Sequence, residues 1–424
     1  MLDIKFIRSN PEDVKKAVEL KNLSLNVDDL LALDAKVLEG RKSLEELQFQ
    51  RNQNAKAIKS AAPEERQNFI QNGKDIGEKI NAVKPELTEN EEKLKVLLMQ
   101  VPNLPSSHAP VGKSDEDNIV IKTQGEKTKF SFEPLDHVDL LEKHNWADFK
   151  KVPVISGSRN YALKNEALFL EQAILNFALD KLYSKNFDVM SVPSLVREES
   201  LVGTGHFPDG RDQVYYMPED DMYLSGTAEV PINSLYKGDI LNEADLPIKM
   251  GGYSPCFRRE AGSAGRDVRG LIRVHQFLKV EQFVICKNDE AESMKWHQFM
   301  LELSEEILNE LELPYQIVEC CTGDMGLGKY RMFDIESWVP SEEKYRETHS
   351  CSSLLDWQAR RTGLRYRDSE GNVQFCHTLN NTAIASPRIL VPFLENHQQA
   401  DGSIYIPEKL RRFMGGKEYI GKAQ

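Results

Sequence analysis

The chain has 424 residues, 40% of them hydrophobic, and a formal net charge of −13 at pH 7. That length exceeds one ordinary domain and leads us to expect two, with apolar residues enough for a sizeable core. The negative balance excludes a general basic coat for nucleic acid, so any such contact must come from local basic patches.

The first residues, Met1-Leu2-Asp3-Ile4-Lys5, lack the charged-then-apolar layout of a secretory signal. No apolar run approaches the ~20 residues that span a bilayer. Asn10, Pro11 and Glu12 read as an N-cap, a first helical proline and an acidic first turn, opening a helix to about Leu20. A heptad pattern follows. Leu30, Val37, Leu44 and Ile58 fall seven or fourteen apart, with Leu33 and Leu47 three residues after Leu30 and Leu44. This is the seam of a coiled coil, weakened at Gly40, Arg51 and Asn54. Ala62-Pro63-Glu64-Glu65 ends that helix and starts another, whose seam is Phe69, Ile76, Ile80, Val83, Leu87, Leu94 and Leu97, with small or polar slots at Gly73 and Asn90. Two such helices joined by a short turn pack antiparallel as a hairpin. At 1.5 Å per residue each would reach about 50–60 Å. A long hairpin gains only a thin core, so folding alone seldom requires it. A dimerisation stalk or an interaction arm are both open on these residues.

Three prolines among residues 101–110 predict a semi-rigid, extended connection, and we place a domain boundary near residues 105–115. From Ile119 short strands mix with helices. Residues 166–183 have helical periodicity, and residues 187–196 read as a strand interrupted by Pro193, which suits an edge. Residues 203–208 (GTGHFP) read as a Gly-rich loop, but the GxxxxGK[ST] phosphate loop is absent. Thr227-Ala228-Glu229 reads as a helix start capped by threonine. Residues 334–340 form a strand and residues 345–353 (YRETHSCSS) follow it. Ser386 and Pro387 are a good N-cap and first helical residue, which would put Arg388 where a helix dipole favours anions. The tail from Lys417 is expected to be mobile. Six cysteines show neither CxxC pairing nor zinc-finger spacing, so free thiols in a reducing compartment are the simplest account. Together these features predict a soluble, cytoplasmic protein.

One stretch organises the rest: FRREAGSAGRDVRGLIRVHQFLKVE, residues 257–281. It reads as strand, glycine-rich loop, strand. Period-two alternation puts Arg258 and Glu260 on one face of the first strand. On the second it puts Phe277, Lys279 and Glu281 on one face, and Leu278, Val280 and Gln282 on the other. A guanidinium that grips phosphate, a ring that stacks a base and a carboxylate that takes an amine would share one side. A surface hairpin with solvated arginines is the bland alternative, opposed by five arginines (Arg258, Arg259, Arg266, Arg269, Arg273) crowding one Gly-rich segment beside an aromatic strand.

This run resembles motif 2 of the class II aminoacyl-tRNA synthetases, in wording closest to the seryl-tRNA synthetases, and the likeness extends along the whole chain. The resemblance implies an α+β fold: an antiparallel-sheet catalytic domain over residues 111–424, and an N-terminal tRNA-binding domain over residues 1–110 with its coiled-coil arm at about 28–100. It implies activation of L-serine with ATP and transfer to tRNA(Ser), with tRNA(Sec) expected as well. The arm would hold the long variable arm of the tRNA, with Lys36, Arg41, Lys42, Arg51, Lys56 and Lys59 as phosphate contacts. Pro193 matches the proline of motif 1, which implies a homodimer. Residues 379–396 resemble motif 3.

Carried over residue by residue, the catalytic set is Arg258, Arg388 and Glu347. ATP would meet Arg258, Arg259, Glu260, Val274, Phe277, Glu347, Thr348, His349, Ser350 and Arg388. Serine would meet Thr227, Ala228, Glu229, Arg258, Glu281 and Thr382, and Mg²⁺ would be held by Glu347 and Ser350. Zinc is not expected, because His349 has no second and third ligand at sensible spacing. The chain departs from the family's usual REISSCSN at Thr348, His349 and Ser353. It departs from NGSGLAVGR at Asn381, Thr382, Ala383 and Pro387; Thr382 keeps a hydroxyl. Two rivals stand beside this reading. One is a related ligase that loads an amino acid onto a carrier protein, a class that lacks the arm. The other is a coiled-coil scaffold with a degenerate globular domain, opposed by intact Arg258, Glu260, Phe277, Glu281, Glu347 and Arg388.

Overall fold

Capping chemistry sets the N-terminal helices. Asp3 accepts from the backbone N–H of Lys5 at the head of α1, Ile4–Ser9, and Pro11 opens α2, Pro11–Leu20. Asn26 accepts from the N–H groups of Asp28 and Asp29 to cap α3, Val27–Ser60, and Pro63 opens α4, Pro63–Met99. The computed structural model describes every residue except 263, 264, 266–268 and 422–424, so Arg266 and the last of the tail lie outside the described residues. The chain divides into two compact units. The smaller is Leu2–Glu19 with Leu23–Pro102; the larger is Met1, Leu20–Asn22 and Asn103–Gln424.

In the smaller unit Leu30 and Val37 of α3 and Ile76, Ile80, Leu87 and Leu94 of α4 are buried, and Leu33, Leu44 and Leu97 partly so. The weak slots of the seam prove complementary. A Cβ on Gly40 would lie 3.0 Å from Leu87 Cδ1, and one on Gly73 would lie 2.9 Å from Asn54 Nδ2. Residues rising along α3 therefore meet residues falling along α4, the antiparallel hairpin expected. Asn54 is buried but satisfied: its Nδ2 donates to Phe69 O at 2.7 Å and its Oδ1 accepts from Asn72 Nδ2 at 3.1 Å. Arg41, one of the expected phosphate contacts, pairs with Glu91 across the hairpin at 2.6 Å.

The larger unit begins with β1, Ile119–Gln124, then α5, His137–Lys143, α6, Val152–Ser156, and α7, Asn165–Ser184. Three short pieces follow around β2, Asp188–Ser191: β3, Leu195–Val196, α8, Glu198–Thr204, and the hairpin β4, Tyr215–Met217, with β5, Met222–Leu224. Next come α9, Glu229–Leu235, β6, Ile240–Asn242, and the long strands β7, Ile248–Phe257, and β8, Gln276–Cys286. After α10, Glu290–Glu310, lie β9, Tyr315–Glu319, β10, Arg331–Val339, and β11, Lys344–Leu355. The chain closes with α11, Trp357–Thr362, β12, Arg365–Arg367, β13, Val373–Phe375, β14, His377–Ser386, α12, Leu390–His397, β15, Ile404–Tyr405, and β16, Tyr419–Ile420.

Eight strands form the main sheet in the order β1-β9-β10-β11-β14-β8-β7-β2. All neighbours are antiparallel except β2, the edge strand beside Pro193, which runs parallel to β7. One face of this sheet carries the core, built with α7, α10 and α12. Gln282 of β8 and Asn381 of β14 both donate to Met300 O of α10, which fixes that face as the inner one. The opposite face of β8 carries a second, smaller apolar cluster around Phe283 and Ile285, and at the start of the strand it is left for the pocket.

Three local expectations are corrected. Gly203 and Thr204 belong to α8, which Gly205 closes at φ +88°. Ser386 does not cap a helix: it ends β14, and its hydroxyl donates to buried Glu171. The tail is ordered as far as residue 421. There β16 pairs with β15, Lys417 pairs with Glu166, and the N–H of Gly421 donates to Glu166 Oε2 at 2.9 Å. All six cysteines are free and buried. Among the described residues no helix is long and apolar enough to cross a membrane.

Candidate active site

Period-two alternation along β8 does what the sequence implied: Phe277 and Lys279 line a pocket, and Glu281 lies deeper on the same face. The partner strand differs. β7 ends at Phe257, so Arg258 and Glu260 follow it in irregular backbone, Glu260 at φ +52°. Pairing still reaches one residue further, since the N–H of Arg258 donates to His275 O at 2.9 Å. The Arg258 guanidinium lies 5.1 Å from the Phe277 ring centroid. Glu260 pairs with Arg273 at 2.9 Å. Arg258, Glu260, Val274 and Phe277 all line the pocket; Arg259 does not, although its backbone N–H is fixed by Gln213 O at 2.9 Å.

Two β-bulges shape the opposite wall. In β11 Glu347 faces Glu336 and His349 faces Ile335, so Thr348 is an extra residue against β10. In β14 Thr382 faces Glu281 and Ile384 faces Val280, so Ala383 is extra against β8. Each bulge shifts the alternation by one residue. Glu347, Thr348 and Ser350 therefore line the pocket from β11, and Thr382 and Ala385 from β14. His349 does not reach the pocket. It is 1% exposed, with Nδ1 2.9 Å from Thr348 Oγ1 and Nε2 3.0 Å from Ala383 O. Burial lowers its pKa to about 4.

Arg388 lies in the turn that leads into α12, just before the N-cap Ile389, so it precedes the helix rather than standing in its first turn. Other contacts hold it: Nε donates to Ile272 O at 3.4 Å, and Nη1 to Glu347 O at 3.3 Å. Nη1 also lies 3.5 Å from Glu347 Oε2. Arg388 and Glu347 thus meet at one rim of the pocket.

At the deep end, Glu281 is 2% exposed, ion-paired with Lys279, and accepts from Thr227 Oγ1 at 3.0 Å. Burial raises its carboxyl above the ordinary range, and Lys279 opposes that rise. Thr227 is not the N-cap of α9, a position that Ala228 occupies, yet its Oγ1 does accept from the N–H of Glu229 at 3.3 Å. Ala228 packs in an apolar cluster against Ile232 and Met250, away from the pocket lining. Glu229 is also buried, but amides hold it: Gln358 Nε2 at 2.7 Å and Asn380 Nδ2 at 2.8 Å, both on Oε1. Thr378 Oγ1 fixes the other end of Gln358 at 2.8 Å. Gln358, Asn380 and the role of Lys279 escape sequence reasoning. Gln358 lies 129 residues from Glu229, and Asn380 lies 151 away, so only the fold joins them.

The donor set suits a hard cation at Glu347 and Ser350, which offer only oxygen to the pocket. Behind them Asp334 stands opposite Ser350 in the ladder, and its carboxyl is pushed well up by burial and then by Glu347. Cys320, Asp324 and Asp334 bring ligand atoms within 4.8 Å of one another, and Asp334 Oδ1 is buried with no hydrogen-bond partner among the described residues.

Comparisons with known proteins match this architecture. Residues 1–105 match the model of the seryl-tRNA synthetase N-terminal domain, and residues 215–397 that of the tRNA synthetase class II core domain (G, H, P, S and T). The serine--tRNA ligase of Deinococcus radiodurans is 55% identical over 422 residues, covering 100% of this chain and 99% of the relative. The crystal structure of seryl-tRNA synthetase from Pyrococcus horikoshii complexed with ATP superposes with a TM-score of 0.92 at 37% identity, covering 100% of both chains. That of cytoplasmic Serine-tRNA ligase from Naegleria fowleri in complex with AMP does so at 0.87 and 28%, covering 99% of this chain and 98% of the other.

Proposed function

The chain belongs to the seryl-tRNA synthetase family, and from that premise we propose that it activates L-serine with ATP and charges tRNA(Ser) with the product. The observation that carries this reading is one pocket where Arg258, Phe277, Glu347, Arg388 and Thr382 meet, with Lys279 leading to the buried pair Thr227 and Glu281. A serine carboxylate oxygen attacks the α-phosphorus, and the bond to pyrophosphate breaks. Arg258 stabilises the charge gathering on the α-phosphoryl oxygens and Arg388 that on the leaving pyrophosphate. Positioning and charge stabilisation suffice without a covalent enzyme intermediate. The terminal ribose hydroxyl of the tRNA then attacks the seryl carbonyl and AMP departs.

Adenine stacks on Phe277, with Val274 and Glu260 beside it. Glu347 and Ser350 would hold Mg²⁺, which supplies charge neutralisation for the departing pyrophosphate. Thr348 joins them on the pocket wall, while Arg259 and His349 act from behind it. On the serine side Glu229 and Glu281 are the acceptors for its ammonium and hydroxyl, and Thr227 and Thr382 the neutral partners. Ala228 contributes packing.

Residues 1–110 form the tRNA-binding part in this reading and residues 111–424 the catalytic part; a pair of long helices with exposed Lys56 and Lys59 near their turn supports the first assignment. tRNA(Sec) is a further proposed acceptor. A homodimer through α7 and β2 is supported by large apolar side chains left exposed there, Phe169 at 66% and Tyr183 at 70%. Six buried free cysteines support a cytoplasmic setting. ATP–pyrophosphate exchange over a panel of amino acids, then charging of total tRNA and of purified tRNA(Sec), tests the whole. Exchange with serine alone is expected; exchange driven by another amino acid, or by none, overturns it.

A further inference from the structure

β11 and β14 are neighbours in the main sheet, and their ladder runs from Leu355 opposite Thr378 to Cys351 opposite Asn381. Toward the pocket it stops. There each strand bulges, β11 at Thr348 against β10 and β14 at Ala383 against β8. A bulge bends its strand and leaves the extra residue outside the ladder. The carbonyl of Ala383 is met by a side chain from the other strand, His349 Nε2 at 3.0 Å. The other ring nitrogen lies 2.9 Å from Thr348 Oγ1, at the second bulge. One buried imidazole thus spans both irregularities where backbone pairing has ended.

The chemistry of the contacts fixes their direction. A carbonyl only accepts, so Nε2 carries the proton and Nδ1 of the neutral ring is an acceptor; the Thr348 hydroxyl has one proton, with Nδ1 at 2.9 Å and Ile335 O of β10 at 3.2 Å as its acceptors. That hydroxyl oxygen is in turn 3.0 Å from Ser337 Oγ, which ties the group to β10. Pocket residues flank the cross-link on both sides: Glu347, Thr348 and Ser350 from β11, Thr382 and Ala385 from β14.

We infer that His349 is a positioning residue for serine activation, holding the two strands at a set separation so that Glu347 and Ser350 stand in register with Thr382. The inference rests on the reading of this pocket as the site where ATP and serine react. A histidine that only filled space could be replaced by any ring of its size. A histidine that ties two strands needs a donor at Nε2 to reach Ala383 O.

Three variants of the full-length chain separate these cases in ATP–pyrophosphate exchange, with kcat and KM measured for serine and for ATP. His349→Phe keeps a ring and loses both contacts. His349→Gln can place an amide donor near Nε2, and His349→Asn is too short to do so. Phe and Asn should lower kcat roughly 10–100-fold, as loss of an orienting partner does, with KM for ATP moving less than about threefold. Gln should recover most of the loss. Wild-type kcat in His349→Phe overturns the proposal. Equal activity in the Gln and Asn variants also overturns it, and that comparison holds even where the Phe variant does not fold. A parallel fall of kcat, affinity and melting temperature in all three would make the ring structural and sink the proposal. If the wild-type protein shows no serine-dependent exchange, the reading of the pocket fails and the inference falls with it.

Discussion

Glu229 and Glu281 are both buried and near enough for their charges to interact, but they do not share one environment. Glu281 has a cation beside it in Lys279 and a hydroxyl donor in Thr227; Glu229 has the two amides of Gln358 and Asn380. Replacing a charged acceptor removes a hydrogen bond of about 1.5–3 kcal/mol, or about 10–100-fold in affinity. Glu281→Gln should therefore raise KM for serine by that factor and leave KM for ATP within about twofold; equal change in both would count against the assignment. Its pH dependence has a definite sign. Burial raises the Glu281 carboxyl, so it takes up a proton at a higher pH than an exposed glutamate. Serine affinity should weaken on acidification before ATP affinity does, which KM profiles between pH 7 and 5 would show. At this scale the sequence was legible where residue type carries the chemistry. A guanidinium, a ring and an acid in alternation already pointed to Arg258, Phe277 and Glu281. Gln358 and Asn380 were not legible, because an amide does nothing distinctive until a carboxylate arrives from another element.

Helices were easier to read than strand ends. The hairpin of α3 and α4 announced itself because a 3-4 apolar repeat has no other use, and its interruptions at Gly40, Gly73 and Asn54 turned out to be the contacts that set its register. Leu87 fills the space above Gly40 and is 6% exposed. Leu87→Ala should cost the hairpin about 2–4 kcal/mol. If the arm serves tRNA, charging should weaken while serine-dependent pyrophosphate exchange stays at the wild-type rate; a fall in exchange would contradict the division of labour. Strands resisted reading for a physical reason. A bulge is defined by two strands together, so nothing in residues 345–353 alone says that Thr348 is the extra one. Strict alternation would place Ser350 on the face opposite Glu347, and the bulge puts both on the pocket wall. The start of α12 was missed by a similar margin, since Ser386 and Pro387 look like a helix cap but complete a strand.

Across the whole molecule, buried ionisable groups set the response to acid. Burial lowers His297 and His397 to about 4, and each donates Nε2–H to a carbonyl, of Cys351 at 3.0 Å and of Leu311 at 2.8 Å. An unfolded chain protonates its histidines near 6.5. These two therefore contribute stability that is complete above pH 6.5 and is lost as pH falls toward 4, about 3 kcal/mol each. Glu171 and Asp334, both raised by burial, act in the opposite sense, since acid relieves their charge. Melting temperature should still fall over that window, and His297→Gln should flatten the slope even if it lowers the plateau; an unchanged slope would exclude this histidine as a source. The cysteines have a practical corollary. Because all six thiols are shielded in the fold, a maleimide dye should find nothing to label until the chain opens. A single cysteine introduced at exposed Ala62, in the turn between the two long helices, would then carry the only fluorophore, and its emission would report directly on what the tip of the hairpin touches.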